Sequence, residues 1–336
     1  MKAKNIYIML GIFAVLILIY VVQNTTSSRK QATEAFTDLS QGLVSQEITE
    51  VAIYRPAHED SGLVLAKTGE SWIVKSRFNA PAKQSEIDKL LSDLSSMKGE
   101  LRGNDSNLED DFGLAESSAT FLVIKSGVDN VSHTFQLGKR GPDSRGAFIR
   151  KGGSPEMYLT QSNILSSFGM NTDNSQPDSK KWVETKIFNY TKDDLNKLKI
   201  ISKNKSIELI AEEKKMDIGD QPGAIKGTKR DWKKGEISAG ITVPDDQINS
   251  LVGKLVNSRA TDVADPNGAG LYGFEGSDFK IEFADTSRVI HTFAVGKPTP
   301  DNANNYYARI QDGSVIFIIN KSTFDNLFTT PFEKKK

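Results

Sequence analysis

Residues His133–Lys139 read HTFQLGK and residues His291–Lys297 read HTFAVGK. The two stretches stand 158 residues apart (291 − 133), and the likeness extends well past them. Each continues with Pro and Asp three and four positions after its Lys, Pro142-Asp143 and Pro300-Asp301, and each runs on to a final Phe, Phe168 or Phe328. Upstream, Phe112-Gly113-Leu114 answers to Tyr272-Gly273-Phe274, and Trp72 to Trp232. Self-similarity at one long offset is the mark of a duplicated module.

Each half reads in the same order. Short β-rich runs come first: Ile48 to Tyr54, Gly62 to Lys67 and Ser71 to Lys75, then Leu198 to Ser202, Ile207 to Ala211 and Asp231 to Lys234. A helix follows, from Gln84 to Met97 and again from Asp245 to Asn257, with Ser85 and Pro244 as start signals. Ile87, Leu90, Leu91 and Leu94 in one, and Ile248, Leu251, Val252 and Leu255 in the other, form the i, i+3, i+4, i+7 stripe of a helix buried on one side. Four further strands follow in each half: Thr120 to Lys125, Val131 to Gly138, Gly146 to Arg150 and Met157 to Thr160, mirrored by Phe279 to Phe283, Val289 to Gly296, Tyr306 to Ile310 and Val315 to Ile319. Gly152-Gly153 and Asp312-Gly313 supply hairpin turns between the last two. Many strands around one main helix, without a βαβ rhythm, predict an α+β module with an antiparallel or mixed sheet, present in two tandem copies.

The remaining chain sets the boundaries. Ile6 to Val22 reads IYIMLGIFAVLILIYVV, an uncharged apolar run near the roughly 20 residues that cross a bilayer. Tyr7 and Tyr20 sit near its ends, and no small-residue cleavage site follows it, so an uncleaved transmembrane anchor is expected rather than a removed signal. Lys2 and Lys4 before the run favour an N-terminus inside and a translocated body, periplasmic or otherwise extracytoplasmic. The expected layout is an anchor and tether over 1–30, a first repeat over 31–170, a linker over 171–190, a second repeat over 191–331 and a basic tail over 332–336. The second half also carries a Gly- and Lys-rich extra loop near Asp217 to Lys229.

Composition narrows the function classes. Lys plus Arg and Asp plus Glu balance at 43 each, which gives no electrostatic footprint for nucleic acid. With no cysteine the chain has no disulfide, thiolate metal site, cysteine nucleophile or lipidated cysteine.

The Trp strand, the one-sided helix, the aromatic-Gly-hydrophobic motif at Phe112-Gly113-Leu114 and Tyr272-Gly273-Phe274, and the strand ending in Leu137-Gly138 or Val295-Gly296 recur here after an apolar anchor. In that combination the chain resembles the bacterial domain-of-unknown-function family 4340. The resemblance covers nearly everything after the anchor. It implies a membrane-bound accessory role, because genes of that family often stand beside those for ABC-type transporters of the gliding-motility kind. It carries over no catalytic residue.

Candidate chemistry is sparse. His133 and His291 occupy matched places, but no H-x-H or H-E-x-x-H spacing accompanies either, so each is expected to make one structural hydrogen bond. His58 stands in a turn. The acidic stretches Asn104 to Asp111 and Asp262 to Asn267 lack the calcium-loop pattern and are expected to be solvated loops. Gly138 to Gly141 and Gly152-Gly153 match no phosphate-binding motif and are taken as hairpin glycines. Trp72 and Trp232 are expected in sheet cores. The sequence thus predicts no catalytic, cofactor-binding or metal residues and no enzyme. The expected function is a single-pass accessory or scaffold protein whose partners are the lipid bilayer, through residues 6–22, and ABC transporter membrane subunits or other envelope proteins. The alternative is a binding module for a cell-wall glycan or peptide, using the cleft between the repeats.

Overall fold

A computed structural model describes residues 36–333 apart from 143, 173–174, 219–224 and 312, together with Ile17. The expected anchor at 6–22, its tether and Lys334–Lys336 therefore lie outside the described residues, save Ile17. Among the described residues no helix is long and apolar enough to cross a membrane. The chain divides into two compact units, one of Met1–Glu70 and Gln84–Lys181, the other of Ser71–Lys83 and Trp182–Lys336.

The first unit contains β1 (Phe36–Asp38), β2 (Ile48–Tyr54) and β3 (Leu63–Thr68). Two short strands of the second unit come next in the chain, β4 (Ser71–Val74) and β5 (Ala80–Pro81). The first unit resumes with α1 (Gln84–Ser95), β6 (Lys98–Gly103), α2 (Glu109–Phe112), β7 (Thr120–Ser126), β8 (Val131–Arg140), β9 (Ala147–Lys151), β10 (Met157–Thr160) and α3 (Ile164–Ser167). Its sheet is antiparallel, in the order β1-β6-β10-β9-β8-β7-β2-β3. Burial alternates along β7, where Thr120, Leu122, Ile124 and Ser126 face inward, as a half-buried strand requires.

The second unit continues with β11 (Leu195–Ser202), β12 (Lys205–Ile218), β13 (Ile225–Ile237), α4 (Asp245–Val256), β14 (Asp262–Ala264), β15 (Phe279–Asp285), β16 (Ile290–Pro298), β17 (Asn305–Ile310), β18 (Ile316–Asn320) and α5 (Lys321–Phe328). Its antiparallel sheet runs β14-β18-β17-β16-β15-β11-β12-β13. Strand for strand β14 through β12 repeat β6-β10-β9-β8-β7-β2-β3 of the first unit, and β13 carries Trp232, the counterpart of Trp72 in β4. The duplication read from two heptapeptides is thus also a repeat of topology, and the class is α+β with two antiparallel sheets.

Both one-sided helices form where periodicity put them. Ile87, Leu90 and Leu94 of α1 are buried, as are Ile248, Val252, Leu255 and Val256 of α4. Burying each such side chain contributes roughly 1.5–3 kcal/mol. Pro244 is the residue before α4, with the extended backbone of an N-cap, while Ser85 lies inside the first turn of α1 rather than ahead of it.

The shared motifs form a lock. A Cβ added to Gly138 would sit 2.1 Å from the Phe112 carbonyl oxygen, and one on Gly296 would sit 2.1 Å from that of Tyr272. Only a residue without a Cβ allows strand and turn to approach so closely. Gly113 (φ +69°) and Gly273 (φ +79°) turn the chain through the left-handed region at the same spot. Gly138 is therefore a contact glycine inside β8, not a hairpin glycine, whereas Gly153 (φ +79°) does serve the β9–β10 turn. The aromatic of each motif is stacked, Phe112 on Phe148 at 4.2 Å and Tyr272 on Tyr307 at 3.9 Å. One arginine closes each lock. Arg150 pairs with Glu109 and reaches the Leu114 carbonyl at 3.4 Å, and Arg309 lies 4.7 Å over the Phe274 ring, a contact worth about 1 kcal/mol.

Three boundaries differ from expectation. Segment 71–83, expected inside the first repeat, groups with the second unit because its backbone bonds run there: Lys83 N–H to the Trp182 carbonyl at 2.8 Å, Glu184 N–H to that of Pro81 at 2.8 Å, and an antiparallel bridge between Ala82 and Val183. Arg77 adds an ion pair with Asp262. Much of the expected linker 171–190 is built into that unit as well, since Trp182, Val183, Ile187 and Phe188 are all buried. Finally, the extra loop near 217–229 is mostly hairpin, because β12 and β13 pair out to Ile218 and Ile225. Short strands at β6 and β14 also replace parts of what read as loop.

The lock makes a stability prediction. Gly138→Ala and Gly296→Ala should each cost about 3 kcal/mol or more through overpacking against a fixed carbonyl. Gly127→Ala, at φ +72° with nothing within 4 Å, should cost only about 1 kcal/mol of backbone strain. Urea midpoints for the three variants measure the ranking, and equal losses would remove the lock from its central role.

Candidate functional site

The second unit holds a groove of about 770 Å³. Three segments line it. The first is Gly240–Pro244, the loop that carries the chain from β13 to α4; the second is the face of α4 bearing Asp246, Gln247, Ser250, Leu251 and Lys254; the third is Asn326 with Thr330–Glu333. The repeat explains why α4 shows a face here. In α1 the inner pair of the apolar stripe buries Leu90 fully and Leu91 partly, whereas in α4 Val252 is buried and Leu251 is left half-exposed on the groove. Ile241, Leu251, Pro331 and Phe332 give it apolar walls, and Asp246, Lys254 and Glu333 bring charge of both signs. Its volume falls in the range of about 300–1,000 Å³ that binds small molecules or a few residues of peptide.

The two matched histidines are not equivalent in surroundings. His133 Nε2 lies 3.2 Å from Ser126 Oγ, the single structural hydrogen bond expected of it. Burial, assisted by the Lys151 charge, pushes its imidazole below the ordinary value. His291 meets more. Its Nε2 is 3.2 Å from the Tyr190 hydroxyl and 3.4 Å from Asp285 Oδ2, and its ring stacks on Phe283 at 5.1 Å. Ser126 and Asp285 each end the strand beside their histidine, so one position has diverged from a hydroxyl to a carboxylate. Burial works to raise the Asp285 carboxyl, but hydrogen bonds from the Val289 N–H and from His291 outweigh it and hold it low. Tyr190 is raised, by burial first and then by the charges of Asp285 and Asp194. The carboxylate partner was legible across the hairpin, because pairing Phe283 with His291 brings Asp285 to the same end.

The other candidates resolve into structure. His58 is exposed within a short turn, where its carbonyl accepts from Ser61 Oγ at 3.1 Å. Asn104–Asp111 is a capped turn: Asp105 accepts from the Asn107 N–H at 3.0 Å, and residues 109–112 are helical. In the other stretch Asp262 opens β14 and Asp265 caps the following turn in the same way, accepting from the Asn267 N–H at 2.9 Å. Among the described residues no group of three His, Asp or Glu side chains could hold a metal ion. Trp72 and Trp232 are both buried, and Trp232 Nε1 donates to the Lys192 carbonyl at 3.3 Å.

The model of the domain of unknown function DUF4340 matches residues 72–269 and, in a second overlapping segment, 237–334. The chain belongs to that family. Residues 237–269 fall in both matches, as expected when one module occurs twice. No curated protein and no solved structure matches it. In this DUF4340 chain the aromatic-Gly turns, the strand glycines and the groove all lie within the matched region.

The half-buried His133 makes a pH prediction. With the folded imidazole of His133 below its unfolded value of about 6.5, the unfolded chain takes up a proton first as pH falls. Stability is complete above that pH and declines as pH drops through it toward the folded value. His133→Gln should therefore lose less stability than the parent chain between about pH 7.5 and pH 5.5, read as the shift in urea midpoint. Equal shifts in both proteins would show that another group titrates there.

Proposed function

We propose that this chain is a single-pass, membrane-anchored, extracytoplasmic accessory or scaffold protein, built from two tandem copies of one module, that acts by binding partners. The partners proposed are the membrane subunits of an ABC-type transporter or other envelope proteins. The observation that carries the reading is what the two units keep in common. They retain the groups that fix shape, namely Gly138 and Gly296 against an aromatic carbonyl, the stacked rings and the closing arginine. They do not retain the polar surroundings of their histidines, which are Ser126 in one and Asp285 with Tyr190 in the other. Retained shape with divergent polar groups supports recognition over a repeated reaction. The uncharged run Ile6–Val22, with Lys2 and Lys4 ahead of it, supports the anchor and its orientation.

The test combines topology with partners. A C-terminal tag on the full chain should resist protease in intact cells and become accessible once the outer envelope is opened. Mass spectrometry of what co-purifies from gently solubilised membranes should find transporter subunits or other envelope proteins. A tag that stays protected until the cytoplasm itself is opened would reverse the topology, and a chain recovered alone would remove the accessory role.

A further inference from the structure

The two one-sided helices correspond residue for residue, and their outer faces differ in charge. An offset of 161 residues takes Ile87 to Ile248 and Leu94 to Leu255, and takes Glu86, Lys89 and Asp93 to Gln247, Ser250 and Lys254. In the first unit this face holds a cation. Lys181 Nζ lies 3.6 Å from a Glu86 carboxylate oxygen and donates to the Ser167 carbonyl at 2.8 Å, and Ser167 Oγ in turn donates to Asp93 Oδ2 at 3.4 Å. Lys181, Ser167 and both carboxylates belong to that one unit. Two half-buried acids on α1 thus flank an ammonium, the pairing that opposite charge favours.

In the second unit the same two helix positions line the groove with both acids gone. Gln247 stands where one was and Lys254 where the other was, while Asn326 adds a second amide. An ammonium with amide donors beside it complements an anion and repels a cation. Among the described residues Lys254 has no carboxylate partner. The carboxylates of the groove stand elsewhere on it. Asp246, in the first turn of α4, precedes Lys254 by eight residues, about 12 Å along the helix axis. Neither Asp246 nor Glu333 has an ion-pair partner among the described residues. A separation of about 12 Å is the reach of roughly three or four residues of extended chain. Ile241, Leu251 and Phe332 supply apolar wall to the same groove.

We propose that the groove beside α4 binds a free short peptide of roughly three or four residues, its C-terminal carboxylate on Lys254, Gln247 and Asn326 and its N-terminal ammonium toward Asp246. Apolar side chains of the peptide lie against Ile241, Leu251 and Phe332. Asp246 and Glu333 disfavour a multiply charged anion such as phosphate, and a neutral apolar ligand would leave all three charged groups without a complement. Recognition is through the two termini and the length between them, so it tolerates changes among apolar side chains. Lys254 also suits the negative end of the α4 dipole, which makes binding rather than stability the informative readout. The proposal adds a ligand to the binding role inferred above and stands whether or not envelope proteins co-purify.

Calorimetry tests it on the full-length chain in mild detergent, titrated with the tetrapeptides Ala-Leu-Ala-Phe and Phe-Ala-Leu-Ala as free acids, as C-terminal amides and as N-acetyl forms. Both free acids should bind in the micromolar to millimolar range, and each blocked form about fivefold to tenfold more weakly. Lys254→Gln should remove the preference for acid over amide, Lys254→Arg should keep it, and Lys89→Gln, on the outer face of α1, should leave it unchanged. The comparison of acid with amide is made on the unaltered chain, so it holds even where a substitution lowers the melting temperature. Absence of binding by both free acids, equal affinity for acid and amide, an acid preference that survives Lys254→Gln, or acetate and inorganic phosphate binding as tightly as the peptides would each overturn the proposal.

Discussion

The rest of each unit depends on a carbonyl oxygen pressed against a glycine in the middle of a strand. Phe112 O over Gly138 and Tyr272 O over Gly296 bring a turn to within contact of the sheet, leaving no volume for even a methyl group. Such an approach cannot be made by one motif alone. The turn must pass through a positive φ, supplied by Gly113 and Gly273, and the aromatic must be held flat, as it is by Phe148 and Tyr307. In the second unit the Tyr272 carbonyl is not left unpaired either, since it accepts from the Lys297 N–H at 2.7 Å. Two short sequence signatures some two dozen residues apart are thus the two sides of one contact.

Much of the fold was legible because it obeys a period. The strands from Thr120 and Phe279 onward, and the helices with Ile87 and Ile248, show alternation or a one-sided stripe that local chemistry enforces. What was missed lacks one. β5 is an Ala-Pro pair, β14 has three residues, and residues 184–187 carry a Glu and a Lys among buried neighbours, so neither composition nor spacing marks them as strands. Their order comes from backbone pairing with distant partners, which only the tertiary structure supplies. The long hairpin was underestimated for a related reason. Glu212, Glu213 and Lys214 offer no apolar alternation to read, yet backbone pairing with β13 continues through them.

The site was less legible than the fold. The groove is assembled from Gly240–Pro244, one face of α4 and Thr330–Glu333, three segments with no motif in common. Leu251 illustrates the difficulty. By sequence it belongs to the buried stripe with its counterpart Leu90, and only the different packing of the second helix leaves it on a groove wall. The histidines show the opposite case. Asp285 and His291 are six positions apart across a hairpin, a spacing that becomes a contact as soon as the register is known.

An antiparallel sheet that does not close on itself has edges, and exposed strand edges invite indiscriminate pairing. The second unit carries restraints on that pairing. β13 is an edge strand whose last stretch bears Arg230, Lys233 and Lys234, and the segment after it runs into Pro244, which lacks a donor. Lysine-rich edges and a missing N–H disfavour extended ladders with arbitrary strands, yet they leave the apolar walls of Ile241, Leu251 and Phe332 open. A surface that blocks backbone pairing while keeping a shaped apolar groove selects by side chain rather than by strand, which is what separates a docking site from an aggregation edge.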